Sequence, residues 1–141
     1  MQEVDDAILA RAAELPFKVY DGFFLTATAV TPVVIDVPLP YAVYVSSTGD
    51  EVGQRAAGRG TQTSTYFSFR VVGEDRRQVK AAAKKLRDMV MGTRLTVNGR
   101  RAWRPTIEVS SRIWRDDEAV RPDGRPLFYG VDEYAVKAST V

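Results

Sequence analysis

The sequence predicts one α+β domain over residues 1–141, in the order helix, strands, strand, helix, hairpin, strands. Three observations carry this. Over Tyr66–Val72 a period of two puts Phe67, Phe69 and Val71 on the core face of a strand, with Ser68 and Arg70 between them. The period then changes: Val79, Ala82 or Ala83, Leu86, and Met89 with Val90 recur at three and four residues, the apolar stripe of a helix over Asp75–Met91. The length of 141 residues and 45% hydrophobic content suit a single core, because a domain of about 150 residues buries roughly 68–70% of its unfolded surface.

The elements follow in order. Residues 2–15 read as a first helix, with Val4, Ile8, Ala12 and Leu15 on one face and Pro16 just past its end. Lys18–Tyr20 reads as a short strand closed by Asp21–Gly22. Phe23–Val37 is apolar and β-branched but is interrupted by Pro32 and followed by Pro38 and Pro40, so Phe23–Pro40 is expected to be extended or edge structure, with Thr and Val side chains free to meet a partner. Tyr41–Ser46 is a strand, and Ser47–Thr63 a loop holding Gly49, Gly53, Gly58, Gly60, Arg55 and Arg59. A loop of that length inside a compact domain is usually functional or disordered. Its GRG is a faint reminder of phosphate loops, but no GxxxxGK[ST] pattern occurs.

At the second helix, Glu74 and Asp75 suit the positive end of the dipole, Lys84, Lys85 and Arg87 lie nearer the negative end, and Gly92 suits a left-handed C′ position. Asn98–Gly99, between Arg94–Val97 and Arg101–Trp103, is a hairpin signal. A strand is expected from Thr106 to Trp114, with Ile107, Val109 and Ile113 on one face and Trp114 out of place on the polar one. Asp116–Glu118 reads as a solvated acidic turn, with hard-cation binding the lesser reading. Pro122–Asp123–Gly124 turns the chain into a last strand, Leu127–Ala138, with Tyr134, Val136 and Ala138 on one face.

Composition narrows the chemistry. The chain has no Cys, which excludes disulfides and thiolates and fits a reducing compartment. It has no His, which removes the commonest general base and metal ligand, and with them Ser–His, Cys–His and His-based zinc sites. The apolar runs fall far short of the about 20 residues that span a bilayer, and MQEVDDAILAR lacks the basic start of a signal peptide, so a soluble cytoplasmic protein is expected. Charge is uneven: residues 1–54 hold two basic and eight acidic residues, and residues 55–141 hold eighteen basic and ten acidic. That asymmetry suits nucleic-acid binding or contact between oppositely charged faces of two copies, with merely solvated faces as the plain alternative.

Taken together, the elements resemble the tail terminator, or tail completion, proteins of long-tailed bacteriophages. The features that carry the resemblance are the N-terminal helix, the Leu39–Pro40–Tyr41 lead-in to a strand, the loop before Tyr66–Val72, the helix Asp75–Met91, and the strands Thr106–Trp114 and Leu127–Ala138 joined by an Asp–Gly turn. It covers nearly the whole chain, but the long loop and the arginine-rich hairpin have no residue-by-residue match in it. The resemblance implies a mixed or antiparallel sheet packed against two main helices, and a hexameric ring on the end of the tail tube that stops tube growth and meets the head-side connector. It implies no catalysis, cofactor, metal or membrane. Its partners are further copies of the chain, the tail tube protein, the connector protein, and DNA passing through the lumen without sequence-specific binding, all at the head-proximal end of a virion tail assembled in the host cytoplasm. Heterologous contacts that close into a ring suit a chain of divided charge, and a basic lumen suits DNA.

On that reading Gly53, Arg55, Gly58, Arg59 and Trp114 are expected at inter-subunit or tube contacts, and Arg100 and Arg101, with Arg55 and Arg59, toward a lumen or an acidic partner. Three other readings stand beside it. A neck or connector subunit of the same junction differs by partner and not by chemistry. A nucleic-acid module is suggested by Tyr66, Phe67 and Phe69 beside basic residues, as on an RRM sheet, although the RNP1 pattern is absent and Phe67 and Phe69 occupy the face that should meet the helix. For an enzyme the candidate acids are Asp116, Asp117, Glu118, Asp132 and Glu133, which form no constellation with assignable roles.

Overall fold

A computed structural model of the chain describes residues 2–22, 33–46, 62–92, 100–102 and 105–140. Helix α1 spans Gln2–Ala12 and ends in a tightened turn, Leu15 N–H donating to the Ala12 carbonyl just ahead of Pro16. Strands β1 (Lys18–Asp21), β2 (Val33–Val34), β3 (Tyr41–Ser46) and β4 (Gln62–Gly73) precede helix α2 (Arg76–Gly92). Four more strands follow: β5 (Arg100–Ala102), β6 (Thr106–Ser110), β7 (Trp114–Val120) and β8 (Pro126–Thr140).

All eight strands belong to one mixed sheet with the path β1-β3-β4-β8-β7-β2, and β5 and β6 also pair with β8. β8 is its spine. One edge of β8 takes β4 antiparallel from Gln62↔Ser139 to Gly73↔Phe128. The other edge takes three short strands in series, through Arg100↔Thr140, Thr106↔Ala135 and Trp114↔Tyr129. The β1–β3 and β2–β7 pairs are parallel. A mixed sheet packed on two helices agrees with the expected class.

Alternation along the strands splits the apolar residues into two clusters. The larger lies under the helices, where Phe67, Phe69 and Val71 of β4, Tyr44 of β3 and Tyr134 and Val136 of β8 meet Val79, Ala82, Leu86 and Val90 of α2 and Ile8 of α1. Phe67 stacks on Tyr134 with centroids 5.4 Å apart. The smaller cluster occupies the opposite face, where Ile35 with Tyr41, Val43, Val72, Ala119 and Leu127 is joined by Val37 and Leu39. The segment after β2, which includes a cis Leu39–Pro40 peptide bond, therefore folds over part of the second face.

The step from β4 to α2 is fixed by a cap. Asp75 Oδ1 accepts from the Gln78 N–H at 2.7 Å, and Gln78 Oε1 accepts from the Glu74 N–H at 2.7 Å, a reciprocal arrangement close to a capping box. The last hairpin turns through Arg121–Arg125: Gly124 N–H donates to the Arg121 carbonyl, and Gly124 sits at φ 83°, where a side chain would be strained.

Three sequence expectations are corrected. Thr106–Trp114 is two strands, because a bulge between Ile107 and Val109 turns Val109 outward to 55% exposure. The chain then leaves the ladder at Ser111, whose Oγ accepts from the Val131 N–H at 2.8 Å. Asp116–Glu118 lies within β7 and not in a turn, and Asp116 is buried. Gly92 is the last helical residue, and it is not left-handed; among the described residues positive φ belongs to Gly22 and Gly124. Of the proposed hairpin, 93–99 lie outside the described residues, and Arg100–Ala102 pair with β8. Phe23–Pro32 and the loop 47–61 also lie outside them, while Gln62 and Thr63 begin β4.

Candidate functional site

The most developed concavity among the described pockets is a groove of about 600 Å³ on the helix side of the sheet, between α2 and the break at 110–113 that separates β6 from β7. Its existence follows from that break. A continuous strand would have carried side chains up to α2, whereas the Ser111 bonds to Val131 turn the chain aside, and Gly130 lies beneath Val79 and Ile113, each 3.6 Å from where its Cβ would stand. The floor is aliphatic, made by Val79, Ala83 and Ile113.

Cations form the rim. Arg76, Lys80 and Lys84 repeat every four residues along α2, so their Cβ atoms make one ridge with about 6 Å between successive positions. Arg112 faces them from the other bank. Lys84 reaches Asp88 at 3.9 Å, and the Arg76 guanidinium lies 5.3 Å from the Phe128 ring centre. Lys80 and Arg112 have no carboxylate partner among the described residues.

At one end Arg87 closes the groove. Its Nη2 lies 3.3 Å from Asp132 Oδ2 and donates at 3.3 Å to Ser110 Oγ, while the Ser110 hydroxyl donates to Asp132 Oδ1 at 2.6 Å. Burial acts to lower the Arg87 pKa, but the charge and hydrogen bond of Asp132, together with Tyr134, outweigh it and the net shift is upward, keeping the guanidinium charged. Burial also raises the Tyr134 hydroxyl, Asp132 adds to this and Arg87 opposes it. Chemically the groove offers fixed positive charge over an apolar floor, suited to an anionic segment. Neither imidazole nor thiolate exists in the chain to add a nucleophile or base.

The opposite face holds a second polar cluster. Arg70 lies 4.1 Å from the Tyr129 ring centre and pairs with Asp116 at 3.1 Å, and Asp116 Oδ1 also accepts from the Glu118 N–H at 2.9 Å. Trp114, paired with Tyr129 across the strands, packs at 5.9 Å from it and remains 48% exposed. Trp114 is thus an exposed aromatic, as expected, but stands on the face away from the groove. Gly53, Arg55, Gly58 and Arg59 lie outside the described residues. Arg100 and Arg101 pair through their backbones with Thr140 and Ser139, and their side chains lie outside the described set.

The stacking platform of the nucleic-acid reading is overturned, since Phe67 and Phe69 are buried beneath the helices. Asp116 and Asp132 sit on opposite faces of the sheet, each held by an arginine. Among the described residues no three acidic side chains gather as a metal site would require, and no helix is long and apolar enough to cross a membrane. The groove was missed because its helix cations read as a solvated face. The spacing of Arg76, Lys80 and Lys84 was the available signal, but Arg112 joins them only through the bulge.

No protein-family model matches the chain, and no curated protein matches its sequence. Among solved structures, a chain of the virion of the native gene transfer agent (GTA) particle is similar, with a TM-score of 0.64 at 13% identity. The alignment covers 99% of this chain and 96% of that one. At this identity the two chains share a fold.

Proposed function

We propose that this protein is a structural component of a phage-like particle, and within it a tail terminator. It assembles as a hexameric ring on the end of the tail tube, ends tube polymerisation and offers its far side to the head-side connector. DNA passes through the ring without sequence-specific contacts. The observation that carries this reading is the fold likeness, over 99% of this chain, to a chain of a gene transfer agent virion. The early resemblance to tail terminators supports the finer role, and so does the chemistry of the groove, which suits binding by charge and shape.

The test is tube growth. Purified tail tube protein polymerised with and without this chain should give tubes of defined length, each carrying density at one end, only when the chain is present. Tubes that grow equally long in its presence would refute the terminator role. Attachment to the connector and not to the tube would favour a neck subunit.

A further inference from the structure

We propose that the groove between α2 and residues 110–113 receives the acidic α1–β1 edge of a second copy of this chain, so that subunits join head to tail. This rests on the reading of the protein as a ring-forming assembly subunit, but not on where in a particle the ring sits.

The topology supplies the first argument. β1 is one end of the sheet path, and α1 packs beside it, whereas β6 and β7 lie beyond β8 toward the other end. The two surfaces therefore lie toward opposite ends of the sheet and do not overlap, as a head-to-tail contact between successive subunits requires. Charge supplies the second. Residues 2–22 hold five acidic and two basic residues, whereas α2 holds six basic and one acidic. On the α1–β1 edge Asp6, Glu14 and Asp21 are exposed; across the groove Lys80 and Arg112 are exposed with no carboxylate of their own chain among the described residues. The floor is the third. Aliphatic Val79, Ala83 and Ile113 offer what a protein surface buries, and the groove has no aromatic among its lining residues on which a base would stack. A second copy fits these features better than nucleic acid does.

The test uses the full chain and sedimentation velocity at low and high salt. A groove variant, Lys80→Glu/Lys84→Glu/Arg112→Glu, and an edge variant, Asp6→Lys/Glu14→Lys/Asp21→Lys, should each associate at least about tenfold more weakly than the parent. An equimolar mixture should recover association, because each reversed surface then meets its complement. If the groove variant melts below the parent, Lys80→Gln/Lys84→Gln/Arg112→Gln replaces it, with the same weakening expected. Groove variants that associate like the parent, or a mixture that stays dissociated, would overturn the proposal and leave the ring reading standing. Loss of duplex DNA retention by a groove variant that still assembles would overturn it in favour of phosphate binding. A parent that is monomeric at every concentration would overturn both readings together.

Discussion

Arg87 joins helix, sheet and groove in one side chain. It pairs with buried Asp132 on β8 and reaches Ser110 on β6, so three elements meet at one carboxylate. Arg87→Met leaves that carboxylate with the Ser110 hydroxyl as its remaining described partner and should cost about 1–3 kcal/mol in urea unfolding. Arg87→Met/Asp132→Leu should recover most of the loss, because an apolar pair of similar size replaces a buried charge at little cost. Gly73 is constrained differently. A Cβ there would stand 3.0 Å from Gln78 Oε1 and Val79 Cγ2 and 3.1 Å from the Val79 N, so the capping glutamine or the first turn must give way. Gly73→Ala is expected to lower stability by about 1–3 kcal/mol, seen as a drop in Tm.

At the scale of elements, β4 and α2 were legible because their periods are set by local geometry. Phe67, Phe69 and Val71, then Val79, Ala82, Leu86 and Val90, are all buried where the pattern put them. Leu86→Ala should cost about 2–5 kcal/mol, while exposed Lys85→Ala should stay within about 0.5 kcal/mol of the parent; equal melting of the two would refute the assignment of that stripe to the core. The region after α2 was read less well. A strand through Thr106–Trp114 looked continuous because its alternation is nearly regular, and the bulge and the Ser111–Val131 bonds that break it depend on β8, some twenty residues away in sequence. Asp116 looked like a turn residue because its partner Arg70 lies on a strand far back in the chain.

The sheet also carries a pH dependence. Burial pushes the Tyr41 hydroxyl up to about 12, with Arg70 opposing and Asp116 adding. Burial and the 2.6 Å bond from Tyr44 to Asp5 raise Tyr44 as well, and burial raises Tyr134. Because each folded pKa lies above the ordinary tyrosine value of 10.0, their stabilisation is complete below that pH. It falls above it, by up to about 1.4 kcal/mol per pH unit for each tyrosine. Urea midpoints should hold from about pH 8 to about pH 10 and drop beyond it, more shallowly in Tyr41→Phe.

Over the whole molecule, charge and topology point the same way. The acidic early chain and the basic later chain, legible as numbers in the sequence, become an acidic α1–β1 edge and a basic groove toward opposite ends of one sheet. The sequence carried the imbalance but not its placement, since Arg112 meets Lys80 across a cleft that only the fold creates. The protein shares its fold with a chain of a gene transfer agent virion, and the proposed ring is the claim on which its function turns. Negative-stain microscopy of the purified protein tests this most directly. Closed rings of uniform diameter with six-fold averages are the result expected from the hexameric reading; isolated monomers at every concentration, or open filaments that never close, would contradict it.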